Sequence, residues 1–256
     1  MTTFANKIAV VTGASSGIGQ ATALAMAQAG VSVVAVGRDA RILETVIAEI
    51  THGGGHAIAV VADLTADSAP GEIVKSAVAR FGGIDLLINA AGVIAMGATD
   101  DTSDEVWDNV MALNVRAPFR LMRAAFPYLK ERRGAVVNVS SVNGQRVFPN
   151  LAVYNTSKAA LDQLTRCAAI DWAPHGVRVN AVNPGVTVTN LHRRSGMTEE
   201  NYAAFLSRAK ETHPLGRPGQ ASEIAALILF LASEQAGWVT GETVAIDGGR
   251  HLTCAR

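Results

Sequence analysis

Ile8-Ala9-Val10-Val11-Thr12-Gly13-Ala14-Ser15-Ser16-Gly17-Ile18-Gly19 is the stretch on which the fold turns, and an Ala-rich segment follows it directly. Its first four residues form a short apolar run, the pattern of a strand buried on both faces. Glycines at 13, 17 and 19 then let the backbone turn sharply into a helix expected over about 17–29. Such a turn gathers free backbone N–H groups and the positive end of a helix dipole at one point. The result is a cradle suited to a pyrophosphate. Its donors are the backbone around Gly13, Gly17, Ile18 and Gly19 and the hydroxyls of Ser15 and Ser16.

Outward from this turn the same alternation repeats. Short runs rich in Val, Ile, Leu and Ala lie at 8–11, 31–36, 57–61, 86–88, 135–139, 177–182 and 243–246. Helical patterns lie between them, at about 17–29, 40–51, 67–81, 103–131 (interrupted near Asn114), 152–173 and 221–232. Strand–helix alternation predicts right-handed βαβ units. The expected fold is therefore α/β, a Rossmann-type doubly wound parallel sheet of about seven strands with helices on both faces. No Pro/Ser-rich linker divides the chain, so a single domain over 1–256 is expected. The least regular stretch is 190–216, which reads either as a substrate lid or as a surface helix with loops.

Composition excludes several function classes. The 256 residues carry 22 Lys+Arg against 22 Asp+Glu, so the basic excess of a nucleic-acid binder is absent and no long-range pull toward anionic membranes exists. No apolar run reaches the roughly 20 residues of a membrane span. The first ten residues, MTTFANKIAV, lack the basic-then-apolar pattern of a signal peptide. Cys167 and Cys254 are far apart and belong to no CxxC or Cys/His motif, which fits a reduced compartment. A cytoplasmic protein is expected. His52, His56, His175, His192, His213 and His251 form no HExxH and have no carboxylate cluster, so no metal is expected. His192 and His213 bracket the irregular stretch and read either as substrate contacts or, preferably, as surface residues; Trp107 and Trp172 read as packing residues.

The end of the second strand bears on the choice of dinucleotide. A carboxylate there would hold the ribose 2′-OH of NAD, whereas a basic residue would accept the 2′-phosphate of NADP. Here Gly37 occupies the strand end and Arg38 follows, with Arg41 as a second cation nearby. A guanidinium suits phosphate bidentately, so NADP(H) is favoured. In the rival reading Asp39 faces the ribose and NAD(H) binds; we prefer Asp39 as a helix N-cap. Further on, Asp63-Leu64 and Asn89-Ala90-Ala91-Gly92 each follow a strand, on the edge where open α/β sheets bind ligands. Asp63 can accept from an adenine amino group, and the small residues 90–92 let a cofactor lie close.

Three polar residues supply the reacting end. Ser141 closes the fifth strand, and Tyr154 and Lys158 stand four apart on one helical face. An ammonium beside a phenol favours the phenolate and is expected to lower the Tyr154 pKa. A phenol tuned in this way exchanges a proton with a carbinol or carbonyl oxygen, and Ser141 donates to the same oxygen.

With these motifs in order, the chain resembles a compact, single-domain short-chain dehydrogenase/reductase over nearly its whole length. The matching elements are Thr12–Gly19, Asp63, Asn89–Gly92, Asn114, Ser141, Tyr154, Lys158, Asn183-Pro184-Gly185, Thr187, Thr189, and the C-terminal 239–249. The resemblance implies an oxidoreductase in which hydride passes between nicotinamide and the substrate carbon. It implies that Tyr154 is the general acid or base, and that Lys158 lowers its pKa and binds the nicotinamide ribose. It gives Ser141 the task of orienting the substrate oxygen and Asn114 that of holding a water linking Lys158 to bulk. Pro184, Gly185, Thr187 and Thr189 are implied to contact the carboxamide end. A homotetramer is implied too, with Trp238 where the family often places a subunit contact.

The substrate is a small carbonyl or alcohol on this reading. The residues expected to shape its site are the 190–216 lid, Val93 to Met96, Asn143, Gln145 and 147–150. The chain also resembles 3-oxoacyl-carrier-protein reductases, which dock an acidic carrier through basic residues. Lys130, Arg132 and Arg133 form a basic patch, but His175 stands at the second docking-Arg position, so a general ketone reductase ranks first. An NAD-dependent sugar or alcohol dehydrogenase and a non-catalytic cofactor-binding protein are the remaining alternatives.

Overall fold

A computed structural model describes residues 4–253; Cys254 and the first three residues lie outside the described residues. The strands are β1 (Ile8–Thr12), β2 (Ser32–Gly37), β3 (Ala57–Val61), β4 (Leu86–Asn89), β5 (Ala135–Val139) and β6 (Arg178–Pro184). A short pair, β7 (Thr187–Val188) and β8 (Gly219–Gln220), precedes β9 (Thr243–Ile246). The helices are α1 (Gly17–Gln28), α2 (Ala40–His52), α3 (Ala69–Phe81), α4 (Asp104–Met111), α5 (Ala117–Arg132) and α6 (Ala152–Trp172). They continue with α7 (Leu191–Arg194), α8 (Glu199–Thr212) and α9 (Ala221–Ala232).

Seven strands form one parallel sheet in the order β3-β2-β1-β4-β5-β6-β9, as the alternation predicts. Its central strands are buried on both faces, while edge strands β3 and β9 are partly exposed. Successive side chains of β1 serve opposite layers. Ala9 and Val11 pack with Met26, Leu43 and Ile228 from α1, α2 and α9. Val10 packs with Ile73, Leu121 and Leu129 from α3 and α5. Each such fully buried Leu, Ile or Met side chain contributes roughly 1.5–3 kcal/mol.

The strand order reverses between β1 and β4, so the connections leaving their C-terminal ends diverge and open a crevice there. Side chains fix the two loops that flank it. Thr12 Oγ1 accepts from the N–H groups of Ala90 and Ala91 at 3.0 and 3.2 Å, joining the end of β1 to the loop after β4. At the N-terminal ends of the strands Asp85 is buried; it accepts from Ile8 N–H and pairs with Arg132 at 3.3 Å and Lys7 at 3.6 Å.

One segment differs from the expected pattern. The helix over 103–131 is not broken at Asn114 but passes through a π-helical turn, Ala112–Arg116, between α4 and α5. The extra residue of such a turn re-aims a side chain without ending the helix. The stretch 190–216 holds α7 and α8 joined by short loops, as the helix-with-loops reading expects. Thr198 caps α8 by accepting from Asn201 N–H, and Glu199 and Glu200 complement the helix dipole in the first turn. Parallel pairing of Thr187 with Gly219 and Val188 with Gln220 closes this excursion at its base.

Candidate active site

A cleft of about 600 Å³ runs across the C-terminal ends of the strands. Its phosphate half is the β1–α1 turn. Gly13 has φ +67°, and a Cβ there would come within 2.9 Å of the Ala91 backbone. A Cβ on Gly19 would collide with the Gly13 carbonyl, so these two glycines are what lets the loops close on each other. Ser16 sits at the N-cap of α1, yet its side chain makes no capping bond, and no acidic residue follows in the first turn. Gly13, Ser15, Ser16, Gly17 and Ile18 line the cleft, whereas Gly19 packs behind them.

Arg38, Asp63 and Leu64 line the same end. Asp39 is engaged elsewhere: it caps α2 by accepting from Ile42 N–H at 3.1 Å. Arg41 does not line the cleft. Hydrogen bonds from the Thr65 N–H and hydroxyl hold the Asp63 carboxyl below the usual carboxylate range, and Arg38 adds to this. Ala90 and Gly92 face the cleft, but Asn89 is buried beneath it and donates to Asn138 Oδ1 at 2.8 Å. Pro184, Gly185, Thr187 and Thr189 form the wall beyond β6.

Ser141, Tyr154 and Lys158 also line the cleft, at its centre. Helix α6 places Tyr154 and Lys158 one turn apart. Lys158 Nζ lies 5.7 Å from the Tyr154 ring centroid and donates to the Val139 carbonyl at 2.9 Å. Ser141 Oγ accepts from Asn143 N–H and donates to Asn143 Oδ1, which fixes its hydroxyl. Asn114 does not reach the cleft surface. It stands behind Gly92, where an added Cβ would touch Asn114 Oδ1 at 3.3 Å and Lys158 Nζ at 3.5 Å.

The expected acidity of Tyr154 is not found in the protein alone. Burial pushes the phenol up to about 12, and the Ser141 hydrogen bond offsets this only in part. Burial also pushes Lys158 down to about 8, with Asp162 opposing. The neighbouring ammonium favours the phenolate, but both groups lose water on burial, and in this cleft desolvation dominates.

Other expectations are corrected as well. His213 is not a surface residue. It is buried, its Nε2 accepts from Val186 N–H at 3.1 Å, and its Nδ1 faces the Ala209 carbonyl at 2.9 Å. It therefore supports the strand end near Gly185 as a neutral imidazole, and burial lowers its pKa. His192 does line the cleft, packed against the Phe205 ring, and burial lowers its pKa too. Trp107 is exposed rather than packed, whereas Trp172 stacks on Phe126. Among the cleft residues not anticipated are Leu113, Leu151 and Arg250, whereas Phe205 comes from the expected lid. Leu151 sits just before α6, next to the expected 147–150 segment, and nothing in the sequence points to Arg250.

A family model described as enoyl-(acyl carrier protein) reductase matches residues 13–251. Similar curated proteins include the 3-oxoacyl-(acyl-carrier-protein) reductase of Thermotoga maritima, 36% identical over 95% of this chain and 97% of that one. They also include the cyclohexanol dehydrogenase of an Acinetobacter strain, 36% identical over 96% and 95%. A Caenorhabditis elegans short-chain dehydrogenase/reductase, solved with its cofactor, superposes with TM-score 0.92 at 35% identity, covering 98% of this chain and 97% of that one. The chain belongs to the short-chain dehydrogenase/reductase family. It is an oxidoreductase, of a family that acts on CH–OH groups with NAD or NADP as acceptor. No helix among the described residues is long and apolar enough to cross a membrane, and no group of side chains among them could hold a metal ion.

Proposed function

We propose that this protein is an NADP(H)-dependent oxidoreductase that interconverts a ketone or aldehyde and a secondary alcohol, with Tyr154 as general acid and base. The observation that carries this reading is the shared cleft: Ser141, Tyr154 and Lys158 face the same space as the Gly13–Ile18 turn and Arg38. The residues fit a dinucleotide. The turn is closed by glycines that admit no side chain, the Ser16 hydroxyl is unengaged, and Asp63 is held ionised. Arg38 is available for a 2′-phosphate while Asp39 is committed to α2, which favours NADP(H) over NAD(H).

When bound, the nicotinamide group supplies or accepts the hydride. The chain provides the rest. The Gly13–Ile18 turn, Arg38, Asp63, Leu64 and Ala90 to Gly92 bind the nucleotide portion, and Pro184, Gly185, Thr187 and Thr189 bind the far end. Ser141 donates to the substrate oxygen. In reduction Tyr154 gives that oxygen its hydroxyl proton, and in oxidation it takes the proton back. Lys158 orients the ribose hydroxyls and stabilises charge on Tyr154 Oη, and Asn114 links it toward solvent. The α7–α8 excursion acts as the substrate lid, contributing Leu191, His192 and Phe205.

The acyl-carrier reductase reading ranks second. Arg132, its expected docking residue, is paired with Asp85 and with the Gly82 carbonyl. The same reading takes the protein as a cytoplasmic homotetramer, with the exposed Trp238 and Ile170 flanking the β9 edge as contact residues. A panel of small ketones and aldehydes, followed through NADPH absorbance, tests the function. Carbonyl-dependent loss of NADPH is expected, and its absence across the panel would reject an active reductase.

A further inference from the structure

Arg250, in the turn after β9, lines the cleft together with Phe148, His192 and Phe205. Its Nη1 donates to Thr212 Oγ1 at 3.1 Å, and its guanidinium stands 4.6 Å from the Phe148 ring centroid. Its Nε is buried and meets no acceptor. Among the described residues no carboxylate lies within ion-pair distance of it. Asp247, the acid whose charge it feels, is already engaged by His251 Nδ1 and by the N–H groups of Gly249 and His251. Cations crowd the same place. Burial and the charges of Arg146 and Arg208 push the Arg250 pKa down.

Arg146 holds this arrangement in position. Its Nη1 donates to the carbonyl oxygens of Arg250 and Thr253, and its guanidinium lies 5.4 Å from the same Phe148 ring. A partly buried cation with an unpartnered donor and cationic neighbours is costly unless an anion completes it. A planar guanidinium at a cleft wall matches a carboxylate in both charge and shape. The phosphate-binding residues, Arg38 included, belong to the other half of the cleft, so this cation is left for the substrate.

We propose that Arg250 binds the substrate's carboxylate, and that the substrate is an oxo acid or the corresponding hydroxy acid whose reacting carbon lies at Tyr154. This rests on the reductase reading and narrows its substrate class. The remaining wall, from Val93, Ile94, Leu191 and Phe205, suits an aliphatic or aromatic body between the two polar ends.

The test measures kcat/KM with NADPH for 3-oxobutanoate, 4-oxopentanoate and 5-oxohexanoate, each beside its methyl ester, which keeps the ketone and loses the charge. At least one acid is expected to exceed its ester by about ten- to hundredfold, the range of a charge-assisted contact. In Arg250→Gln that ratio should fall toward one, mainly through the acid's KM, and Arg250→Lys should restore part of it. Should Arg250→Gln fail to fold, raising the ionic strength with the native protein should shrink the same ratio. Independently of turnover, pentanoate should bind the NADP-loaded protein about tenfold or more tighter than pentanamide. Esters reduced as well as acids at every length, with pentanoate no tighter than pentanamide, would overturn the proposal and leave the reductase reading standing. If no carbonyl compound is reduced, the reductase reading fails, and the pentanoate comparison alone decides whether Arg250 takes a carboxylate.

Discussion

Asn114 Nδ2 donates to Ser157 Oγ at 3.0 Å, tying the π-helical turn to the helix that carries Tyr154 and Lys158. The same amide accepts from Val93 N–H and donates to the Val93 carbonyl, both at 2.9 Å. One side chain thus holds the cofactor-side loop and the catalytic helix in register. Asn114→Ala would leave the part-buried N–H and carbonyl of Val93 without this partner, at a cost of up to about 1–3 kcal/mol each before relaxation. Thermal unfolding should show the loss directly. Turnover should fall at least about tenfold, because the site depends on sub-ångström alignment of α6 with that loop.

Tyr154→Phe removes only a hydroxyl from a buried ring. Turnover in both directions should be abolished, while NADPH binding, followed by fluorescence titration, should stay nearly unchanged. Near-full activity in this variant would refute the proton-transfer role.

Arg38→Ala should raise the KM for NADPH by about tenfold or more, as expected for losing a charge-assisted contact, and leave the KM for NADH within about twofold. Steady-state kinetics with both cofactors reads this out. Equal effects on the two would mean that Arg38 merely covers the adenine.

The titration of the central pair predicts different pH behaviour in the two directions. Tyr154, pushed up to about 12, stays protonated across the working range, so its supply of a proton does not limit reduction. Lys158, pushed down to about 8, loses its charge as pH rises through that value, so reduction should decline above about pH 8. Oxidation needs the phenolate with a charged Lys158 beside it, so its rate should climb with pH up to about 8 and level off above it. A reduction profile flat to pH 10 would contradict this assignment.

The sheet was legible because its strands are buried on both faces and so read as unbroken apolar runs. The turn at Gly13–Gly19 was legible because only glycine permits the contacts of Gly13 with Ala91 and of Gly19 with Gly13. Asp39 as a cap was legible from local chemistry, and the structure bears it out. What escaped depends on tertiary placement. His213 gives no sign in sequence that a strand end folds over it. Arg250 lies near the C-terminus, and only the path of the chain after β9 brings it to the cleft. The phenol's altered acidity escaped because solvent exclusion belongs to the packed molecule and not to the spacing of Tyr154 and Lys158.

The short pairing of Thr187–Val188 with Gly219–Gln220 has a practical consequence. It anchors both ends of a 30-residue detour about 4.8 Å apart, on the rim of a sheet whose own hydrogen bonds do not involve it. The detour therefore behaves as an exchangeable cassette. Grafting a different sequence over 190–211, with Thr189, Thr212 and His213 kept in place, should retune what the enzyme accepts while the scaffold beneath keeps its register.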